Sequence, residues 1–324
     1  MRVGLVSAAH VHAGGFAWAV KNAEGAELVG LWDDQPERGE KAAEEWGVPW
    51  VDDLDTLLDR CDAVVISSEN NLHALHVEAA ALAGKAILCE KPVAVTEEDT
   101  DWIEQETTKA GVVFMTAFPC PFSPAFQALQ TKVHDGTLGK IVAYNTTNQG
   151  SCPFGWFVQK EMSGGGALVD HVAHVADLLR RLTKSEPVWV QAFTGNGMYG
   201  KEWDDSAMVT LGFGDGSFAT IDSSWSKTDY KTWGNVKLKV VGTKGTAEAD
   251  LFGQGADVYV GAHRHWGAGS DLNLLMVQEF IDAAREKRHP LADAADGLAA
   301  SRIIQAATKS ATIAGAKVVL KGVV

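Results

Sequence analysis

Short apolar runs alternate with longer amphipathic stretches over the first third of the chain. The apolar runs have the length of buried strands, and five of them are predicted as strands: Val3–Val6, Leu28–Trp32, Ala63–Ser67, Ala86–Cys89 and Val112–Ala117. The stretches between them predict helices, one of which begins at Pro36 and another of which ends at Gly84. Strands separated by helices of about 10–15 residues indicate crossover connections and a parallel, doubly wound sheet.

The pattern changes after Phe118. Strand candidates now follow one another with short turns such as Gly214-Asp215-Gly216, as in an antiparallel meander. Seven are predicted: Lys140–Asn148, Val188–Thr194, Met208–Phe213, Phe218–Ser223, Val236–Gly242, Thr246–Leu251 and Val258–Val260. Helices are predicted at Ala167–Leu182, Asn273–Glu286 and Asp293–Ala314. We therefore predict an α/β domain over residues 1–118 and an α+β domain, with a large, mostly antiparallel sheet, over residues 119–324.

Length and charge narrow the class of protein. A chain of 324 residues is too long for one ordinary core, which agrees with two domains. The formal net charge of −14 argues against a nucleic-acid partner, because phosphate binding needs a basic surface. No run approaches about 18 apolar residues, so no membrane span is predicted. The N-terminus does not read as a signal peptide and the four cysteines form no CxxC pair, so reduced thiols and a cytoplasmic location are expected.

Two tracts carry candidate chemistry. Lys91 lies just beyond the apolar run Ile87–Cys89, after Glu90, and precedes a proline. A lysine at the carboxyl end of a parallel strand faces the crevice where ligands bind. Downstream, Gly164-Gly165-Gly166 begins a predicted helix on which Asp170 and His174 lie one turn apart on the same face. These two tracts predict that an ammonium, a carboxylate and an imidazole meet over one substrate, where they can move a proton off a hydroxyl.

Several short motifs in this order resemble the glucose–fructose oxidoreductase / inositol dehydrogenase / rhizopine-catabolism (Gfo/Idh/MocA) family. They are Asn70-Asn71-Leu72-His73, Cys89-Glu90-Lys91-Pro92, Phe122-Ser123-Pro124-Ala125-Phe126, Gly136-Thr137-Leu138-Gly139-Lys140, the tract 164–177 and Asp296-Gly297-Leu298. The resemblance implies an N-terminal Rossmann domain, a C-terminal domain with an open sheet, and a site in the cleft between them. It also implies a homodimer or homotetramer formed through the open sheet face.

The resemblance implies roles for particular residues. Lys91 matches the catalytic lysine, and Asp170 and His174 match the acid–imidazole pair, with His174 as the better general base. By family position, the nicotinamide side of the cofactor would be lined by Ser67, Asn70, His73, Glu90 and Lys91. The substrate would be a small carbohydrate or polyol.

The cofactor loop departs from the family pattern. Residues 7–12 read Ser7-Ala8-Ala9-His10-Val11-His12, so none of the three glycines of a dinucleotide fingerprint is kept. A helix N-terminus still binds phosphate, so Ser7, Ala8, His10 and His12 are candidate contacts. Alternatively the loop is weakened, or His10 only caps the first helix.

The end of the second predicted strand indicates which nucleotide binds. Asp33 lies where an acidic residue hydrogen-bonds the adenosine ribose, which favours NAD over NADP. Arg38, a few residues further on, is expected on the helix surface, and so is the outer-face residue His76.

Substrate contacts are expected from Cys120, Trp156 and His171, and the rings of Trp225 and Trp233 are further candidates for stacking on a sugar. The spacing His171-x-x-His174 beside Asp170 also permits a metal site. No further ligand cluster is evident in the sequence, so no metal is predicted.

The favoured function is an NAD(P)-dependent dehydrogenase that takes hydride from a secondary alcohol of a sugar, cyclitol or related polyol. A second hypothesis is a redox-neutral enzyme, a lyase or glycosidase, in which transient oxidation acidifies the neighbouring C–H bond and the cofactor is regenerated. A third is a non-catalytic ligand-binding regulator, which the altered loop motivates.

Overall fold

The structure is a computed structural model that describes residues 1–227, 234–253 and 269–320, together with the backbone of the strands at 255–260 and 262–267. Its strands are β1 (Arg2–Val6), β2 (Glu27–Trp32), β3 (Ala63–Ile66), β4 (Ala86–Cys89), β5 (Phe114–Thr116), β6 (Ile141–Gln149), β7 (Pro187–Gly195), β8 (Ser206–Phe213), β9 (Phe218–Ser224), β10 (Asn235–Gly242), β11 (Gly245–Asp250), β12 (Gly255–Val260), β13 (Ala262–Gly267) and β14 (Val318–Val319). Its helices are α1 (Ala13–Asn22), α2 (Pro36–Trp46), α3 (Leu54–Arg60), α4 (His73–Leu82), α5 (Glu97–Ala110), α6 (Pro124–His134), α7 (Lys160–Ser163), α8 (Ala167–Thr183), α9 (Leu272–Glu286) and α10 (Ala294–Thr312). Short 3₁₀ turns lie at Asn70–Leu72, Cys120–Phe122 and Gly155–Val158.

The first sheet is parallel, in the order β2-β1-β3-β4-β5. Its central strand Ala63–Ile66 is buried along its whole length, and so are Ile87, Leu88 and Cys89 of β4. Parallel strands covered on both faces are expected to be apolar throughout rather than alternating. The prediction of a doubly wound α/β domain is confirmed.

The second sheet is mixed, in the order β11-β10-β6-β9-β8-β7-β14. Only β6 and β9 run parallel among the neighbouring strands that the structure describes. Along β8, Ala207, Val209 and Leu211 are buried while Met208 between them is exposed, which is the period-two pattern of a sheet with one covered face. Helix α8 packs against β6, β8 and β9. The prediction of a mostly antiparallel α+β sheet is also confirmed.

Side-chain caps explain where several helices begin. Thr96, Asp271 and Asp53 each accept a hydrogen bond from a first-turn backbone amide, at the starts of α5, α9 and α3 respectively. Gly111, at φ 62°, ends α5 in the left-handed conformation. Helix α3 is absent from the predicted elements. None of the helices in the described part of the chain has both the length and the apolar character needed to cross a bilayer.

The chain forms two compact units. The first comprises Met1–Pro119, Glu161–Gly164 and Asp271–Ser301, and the second comprises the remaining described residues. The later segment joins the first unit because α9 packs against α1 and because the backbone amide of Thr116 donates to the carbonyl of Ala292 at 2.7 Å. The domain boundary between residues 118 and 119 stays a prediction.

Candidate active site

The loop after β1 keeps the tight turn of a dinucleotide site without its glycine. Ser7 has φ 71°, a left-handed conformation that non-glycine residues rarely adopt. Hydrogen bonds hold it there: its amide donates to Trp32 O at 2.7 Å, and its carbonyl accepts from Ser67 Oγ at 2.7 Å. The loop leads into α1 at Ala13, whose first-turn amides are donors that a pyrophosphate can use. The residues present therefore fit a dinucleotide.

Asp33 is held by a dense set of donors. It is 2% exposed and accepts hydrogen bonds from the backbone amides of Ala8 and Gln35, each at 2.7 Å, and from Arg38 Nε at 2.9 Å. Burial alone would raise the pKa of Asp33, but the hydrogen bonds from Arg38, Ala8 and Gln35 outweigh it and lower the pKa. Asp33 is therefore an anion at neutral pH, at the position predicted for the ribose contact.

The prediction that Arg38 lies on the helix surface is wrong. Its guanidinium also donates to Glu69 at 2.7 Å and to Asp34 at 2.8 Å, so that three carboxylates surround it. Glu69 is 1% exposed, and a buried carboxylate is stable only when it is paired. Burial opposes the charge of Arg38, but the hydrogen bonds that it donates to Asp33 and Glu69 raise its pKa.

Two histidines of the loop meet Glu90 of the second motif. His12 Nδ1 lies 2.7 Å from Glu90 Oε1, and His10 Nδ1 lies 3.3 Å from the same oxygen. Lys91 N donates to Glu90 Oε2 at 2.9 Å. Burial would raise the pKa of Glu90, but the nearby His10, His12 and Lys91 lower it. His10 is not the helix cap, because the N-cap position belongs to His12.

This group has the composition of a cation site. One ligand atom from each of His10, His12 and Glu90 lies within 4.8 Å of the others, and two imidazoles with a carboxylate suit zinc. The local sequence signal of this cluster is the pair His10-Val11-His12, whereas the metal spacing noted in the sequence was His171-x-x-His174. His12 and Glu90 already form a hydrogen bond with each other.

The other residues assigned to the nicotinamide side are buried in the first unit. Ser67, Asn70, His73 and Lys91 are all at most 5% exposed. Asn70 Nδ2 donates to Ser163 O at 2.9 Å, and His73 Nδ1 lies 2.9 Å from Pro92 O. Burial lowers the pKa of His73. Lys91 is the second residue after the end of β4, at the carboxyl edge of the sheet, as predicted.

The expectation that His76 lies on an outer helix face is wrong. The ring is 2% exposed, with Nδ1 2.9 Å from Ser68 Oγ, and it packs edge-on against Trp32. Burial, and then the nearby His73, lower the pKa of His76 to about 4. The imidazole therefore stays neutral in the fold at a pH where the unfolded chain already takes up a proton.

This difference predicts a pH dependence of stability. As the pH falls from about 6.5 to about 4, the unfolded state binds a proton that folded His76 does not, so the free energy of unfolding decreases. In His76→Gln we expect the decrease between pH 7 and 4.5 to be smaller by about 2 kcal/mol, measured by urea unfolding at both pH values. His289→Gln, at a side chain that is 94% exposed, is the control. Equal pH dependence in wild type and His76→Gln would contradict this prediction.

Helix α8 of the second unit carries the remaining catalytic candidates. Asp170, His171 and His174 are all partly buried. Asp170 Oδ2 accepts from Trp225 Nε1 at 2.9 Å and lies 3.2 Å from His171 Nε2. Asp170 and His174 lie one turn apart on the same side of the helix, as their spacing predicts. Whether these side chains share a substrate with Lys91 stays a prediction.

The glycine tract has a structural reason other than ligand approach. A Cβ on Gly166 would lie 2.0 Å from Asp204 O, so a larger residue cannot fit. The Asp204 carboxylate accepts from the amides of Gly166 at 3.0 Å and Leu168 at 2.8 Å, which satisfies the start of α8. Asp204 has no local signal in the sequence for this role, because it lies 38 positions from Gly166 along the chain.

The expected substrate contacts lie in different environments. Trp156 is partly buried and stacks on Phe157, with ring centroids 3.9 Å apart, while Cys120 is buried. Trp225 is 0% exposed, so the expectation that its ring stacks on a sugar is wrong, and its indole binds Asp170 instead. Trp233 lies outside the described residues.

Comparison with known proteins covers both units. Residues 1–118 match the model of an oxidoreductase family with an NAD-binding Rossmann fold, and residues 126–248 match the GFO/IDH/MocA C-terminal domain. The predicted family, the Rossmann domain and NAD as cofactor are confirmed, and the chain is an oxidoreductase.

Individual relatives agree with the family models. The chain is 30% identical over 259 residues to 2,7-anhydro-N-acetylneuraminate hydratase of Mediterraneibacter gnavus, covering 76% of this chain and 67% of the relative. It is 30% identical over 252 residues to 1,5-anhydro-D-fructose reductase of Ensifer adhaerens, covering 76% and 74%. The crystal structure of aldose-aldose oxidoreductase from Caulobacter crescentus complexed with glycerol superposes with a TM-score of 0.82 at 25% identity, covering 99% of both chains.

Proposed function

Because the chain belongs to the GFO/IDH/MocA family of NAD-binding oxidoreductases, we propose that it oxidises a secondary alcohol of a sugar, cyclitol or related polyol. The observation that carries this proposal is the position of Lys91, which is buried two residues after the end of β4 and next to the anionic Glu90. A Rossmann sheet binds its ligands at this edge. The names of the relatives, a reductase and an oxidoreductase of sugars, support the substrate class.

Each candidate residue has a separate task. Lys91 donates a hydrogen bond to the reacting hydroxyl and stabilises the negative charge that develops on its oxygen. His174 accepts the hydroxyl proton as general base, and Asp170 orients a neighbouring hydroxyl. Bound NAD supplies the hydride acceptor. Ser7, Ala8, His10 and His12 contact the pyrophosphate, and Asp33 contacts the adenosine ribose. Cys120 and Trp156 line the substrate side.

Cofactor preference provides the first test. Since Asp33 is an anion where the ribose binds, it would repel a 2′-phosphate, and we expect NAD to bind at least about tenfold more tightly than NADP, a difference of about 1.4 kcal/mol. Titration of both nucleotides by intrinsic tryptophan fluorescence measures this ratio. Asp33→Ser should reduce the ratio, and a preference for NADP in the wild type would refute the role of Asp33. Reduction of NAD during a screen of carbohydrates and polyols then tests the reaction.

A redox-neutral reaction is the second candidate. His10 and His12, both in contact with Glu90, provide imidazoles beyond the Asp170–His174 pair, and the relative named as a hydratase supports such chemistry. Product formation without net NADH would favour this alternative over simple dehydrogenation. Tight NAD binding without any turnover would instead favour the non-catalytic regulator.

Self-association is proposed through the open face of the second sheet, in a cytoplasmic homodimer or homotetramer. Phe193, Met208 and Phe218 lie on this face and are 60%, 55% and 45% exposed, and Phe193 pairs directly with Met208 across β7 and β8. Exposed apolar side chains that form a patch commonly mark an interface. Light scattering after gel filtration measures the subunit number, and a wild-type monomer at micromolar concentration would refute the proposal.

A further inference from the structure

Two histidines and a glutamate of the first unit converge on one point. His12 Nδ1 lies 2.7 Å and His10 Nδ1 lies 3.3 Å from Glu90 Oε1. The two imidazole rings pack edge to face, with centroids 4.5 Å apart. In the part of the chain that the structure describes, no second group of three histidine, cysteine or acidic side chains brings its ligand atoms within 4.8 Å of one another. The cluster is therefore a specific feature of the loop after β1 and the end of β4.

His10 Nδ1 faces two groups that make opposite demands on it. The backbone amide of His12, which can only donate, lies 3.2 Å away, and the Glu90 carboxylate, which can only accept, lies 3.3 Å away. An imidazole nitrogen carries either a proton or a lone pair, so it cannot make both hydrogen bonds in one protonation state. When Nδ1 accepts from the amide, its lone pair and Glu90 Oε1 are two neighbouring acceptors. A metal cation is attracted to both atoms at once.

The distances suit zinc. Bonds of about 2.0–2.2 Å from a tetrahedral Zn²⁺ to nitrogen and oxygen leave the ligand atoms about 3.4 Å apart. The His10 contact already has this length, and the His12 contact has to lengthen by about 0.7 Å. His12 also has to release the proton that its Nδ1 shares with Glu90, as metal binding commonly requires. The side chain of His12 is 23% exposed, against 1% for the other two, so the ion and a water as fourth ligand can enter beside His12.

The surrounding backbone fixes two of the three ligands before any ion binds. His10 N donates to Ser67 O at 2.9 Å, and His10 O accepts from Ala13 N at 3.0 Å. Glu90 Oε2 accepts from Lys91 N at 2.9 Å, which directs Oε1 to the histidines. Hydrogen bonds of this kind orient metal ligands and strengthen their binding. The charge of Lys91 also acts on Glu90 and opposes a second cation, so we expect weaker binding than in a closed site with four protein ligands.

We propose that His10, His12 and Glu90 form a binding site for a divalent transition-metal ion, with Zn²⁺ as the ion that two imidazoles and a carboxylate suit best. Magnesium and calcium prefer oxygen ligands and fit this set poorly. A bound ion ties the loop after β1 to the residue that follows β4, which stabilises the folded first unit. The site goes beyond the proposed oxidoreductase activity and does not depend on it, because the ligand atoms belong to the chain alone.

Zinc titration of the full chain tests the proposal without any substrate. The protein is first dialysed against a chelator, and competition with a chromogenic zinc chelator at pH 7.5 then measures the affinity for zinc. We expect the wild type to bind a zinc ion whose affinity falls by at least about 10–100-fold in His12→Gln and in Glu90→Gln, since loss of a direct ligand costs no less than loss of a hydrogen bond to one. Millimolar magnesium should leave the zinc affinity unchanged.

His171→Gln is the matched control. His171 Nε2 also lies beside a carboxylate, 3.2 Å from Asp170 Oδ2, but this pair belongs to no group of three such ligands in the described part of the chain, so its loss should not change the zinc affinity. Equal zinc affinity in wild type and His12→Gln, or no zinc bound by the wild type at micromolar concentration, would overturn the proposal.

A second measurement covers the case in which Glu90→Gln does not fold. His12 is partly exposed, so His12→Gln is expected to fold, and urea unfolding checks this. Zinc should raise the midpoint of thermal unfolding of the wild type and not that of His12→Gln, because an ion that binds the folded state stabilises it. An equal rise in both proteins would contradict the proposed site. Absence of dehydrogenase activity would refute the proposed function and leave these zinc measurements unaffected.

Discussion

Lys91→Met is expected to abolish most turnover while the protein still folds and binds NAD. Lys91 is 3% exposed, and Met fills a similar volume without the ammonium, so packing at the end of β4 should survive. Loss of one donor to the developing negative charge should lower kcat by about 10²–10³-fold or more. Steady-state rates on a polyol substrate from the screen measure the loss, and fluorescence titration measures NAD affinity.

Lys132→Met provides the control for Lys91→Met. Lys132 has a side chain that is 57% exposed and pairs with Asp135, the residue that follows α6, so its removal should leave turnover unchanged. Comparable turnover in Lys91→Met and wild type would exclude Lys91 from the chemistry. Loss of NAD binding in Lys91→Met would instead assign the lysine to the cofactor.

Arg38→Met is expected to destabilise the first unit by about 3 kcal/mol, because removing one partner from a buried ion pair leaves the other charge uncompensated. The side chain of Arg38 is 24% exposed, whereas those of Asp33 and Glu69 are at most 1% exposed. Most of the loss in the free energy of unfolding therefore comes from leaving these two buried carboxylates without a partner, rather than from removing the arginine side chain. Urea unfolding at pH 7.5 measures the change in the free energy of unfolding.

Arg288→Met separates this effect from loss of an arginine in general. Arg288 also pairs with two carboxylates, Glu279 at 2.6 Å and Glu286 at 2.7 Å, but its side chain is 40% exposed. Because exposed ion pairs contribute little, the expected loss is below about 1 kcal/mol. Equal losses of unfolding free energy in the two variants would show that the buried ion pairs around Asp33 contribute no more to stability than the exposed pairs of Arg288.

Periodicity predicted both sheets because each has a distinct pattern. Continuous apolar runs such as Ala63–Ile66 identify strands that are buried on both faces, and the alternation around Met208 identifies strands with one exposed face. The helix α3 was missed because it is only seven residues long, too short for a clear period. Its signal was local: Asp53 accepts from Thr56 N.

The candidate site was predictable where motifs are contiguous and not where partners are distant in sequence. The Glu90–Lys91 pair and the Asp170–His174 spacing are visible in short segments. The contacts of Arg38 with Glu69, of His12 with Glu90 and of Trp225 with Asp170 join residues 31, 78 and 55 positions apart. Neither amino-acid composition nor hydrophobic periodicity identifies such pairs, because the pairs depend on which strands become neighbours in the folded sheet.

The return of Asp271–Ser301 to the first unit has a consequence for synthesis on the ribosome. Buried side chains of α9, among them Met276 and Phe280, belong to a helix that packs on α1. A nascent chain that has emerged only as far as Pro119 lacks this cover and leaves apolar surface on α1 in water. Completion of the nucleotide-binding unit must therefore wait until Ser301 has been translated, and a gene fragment that ends at Pro119 would encode an incomplete core.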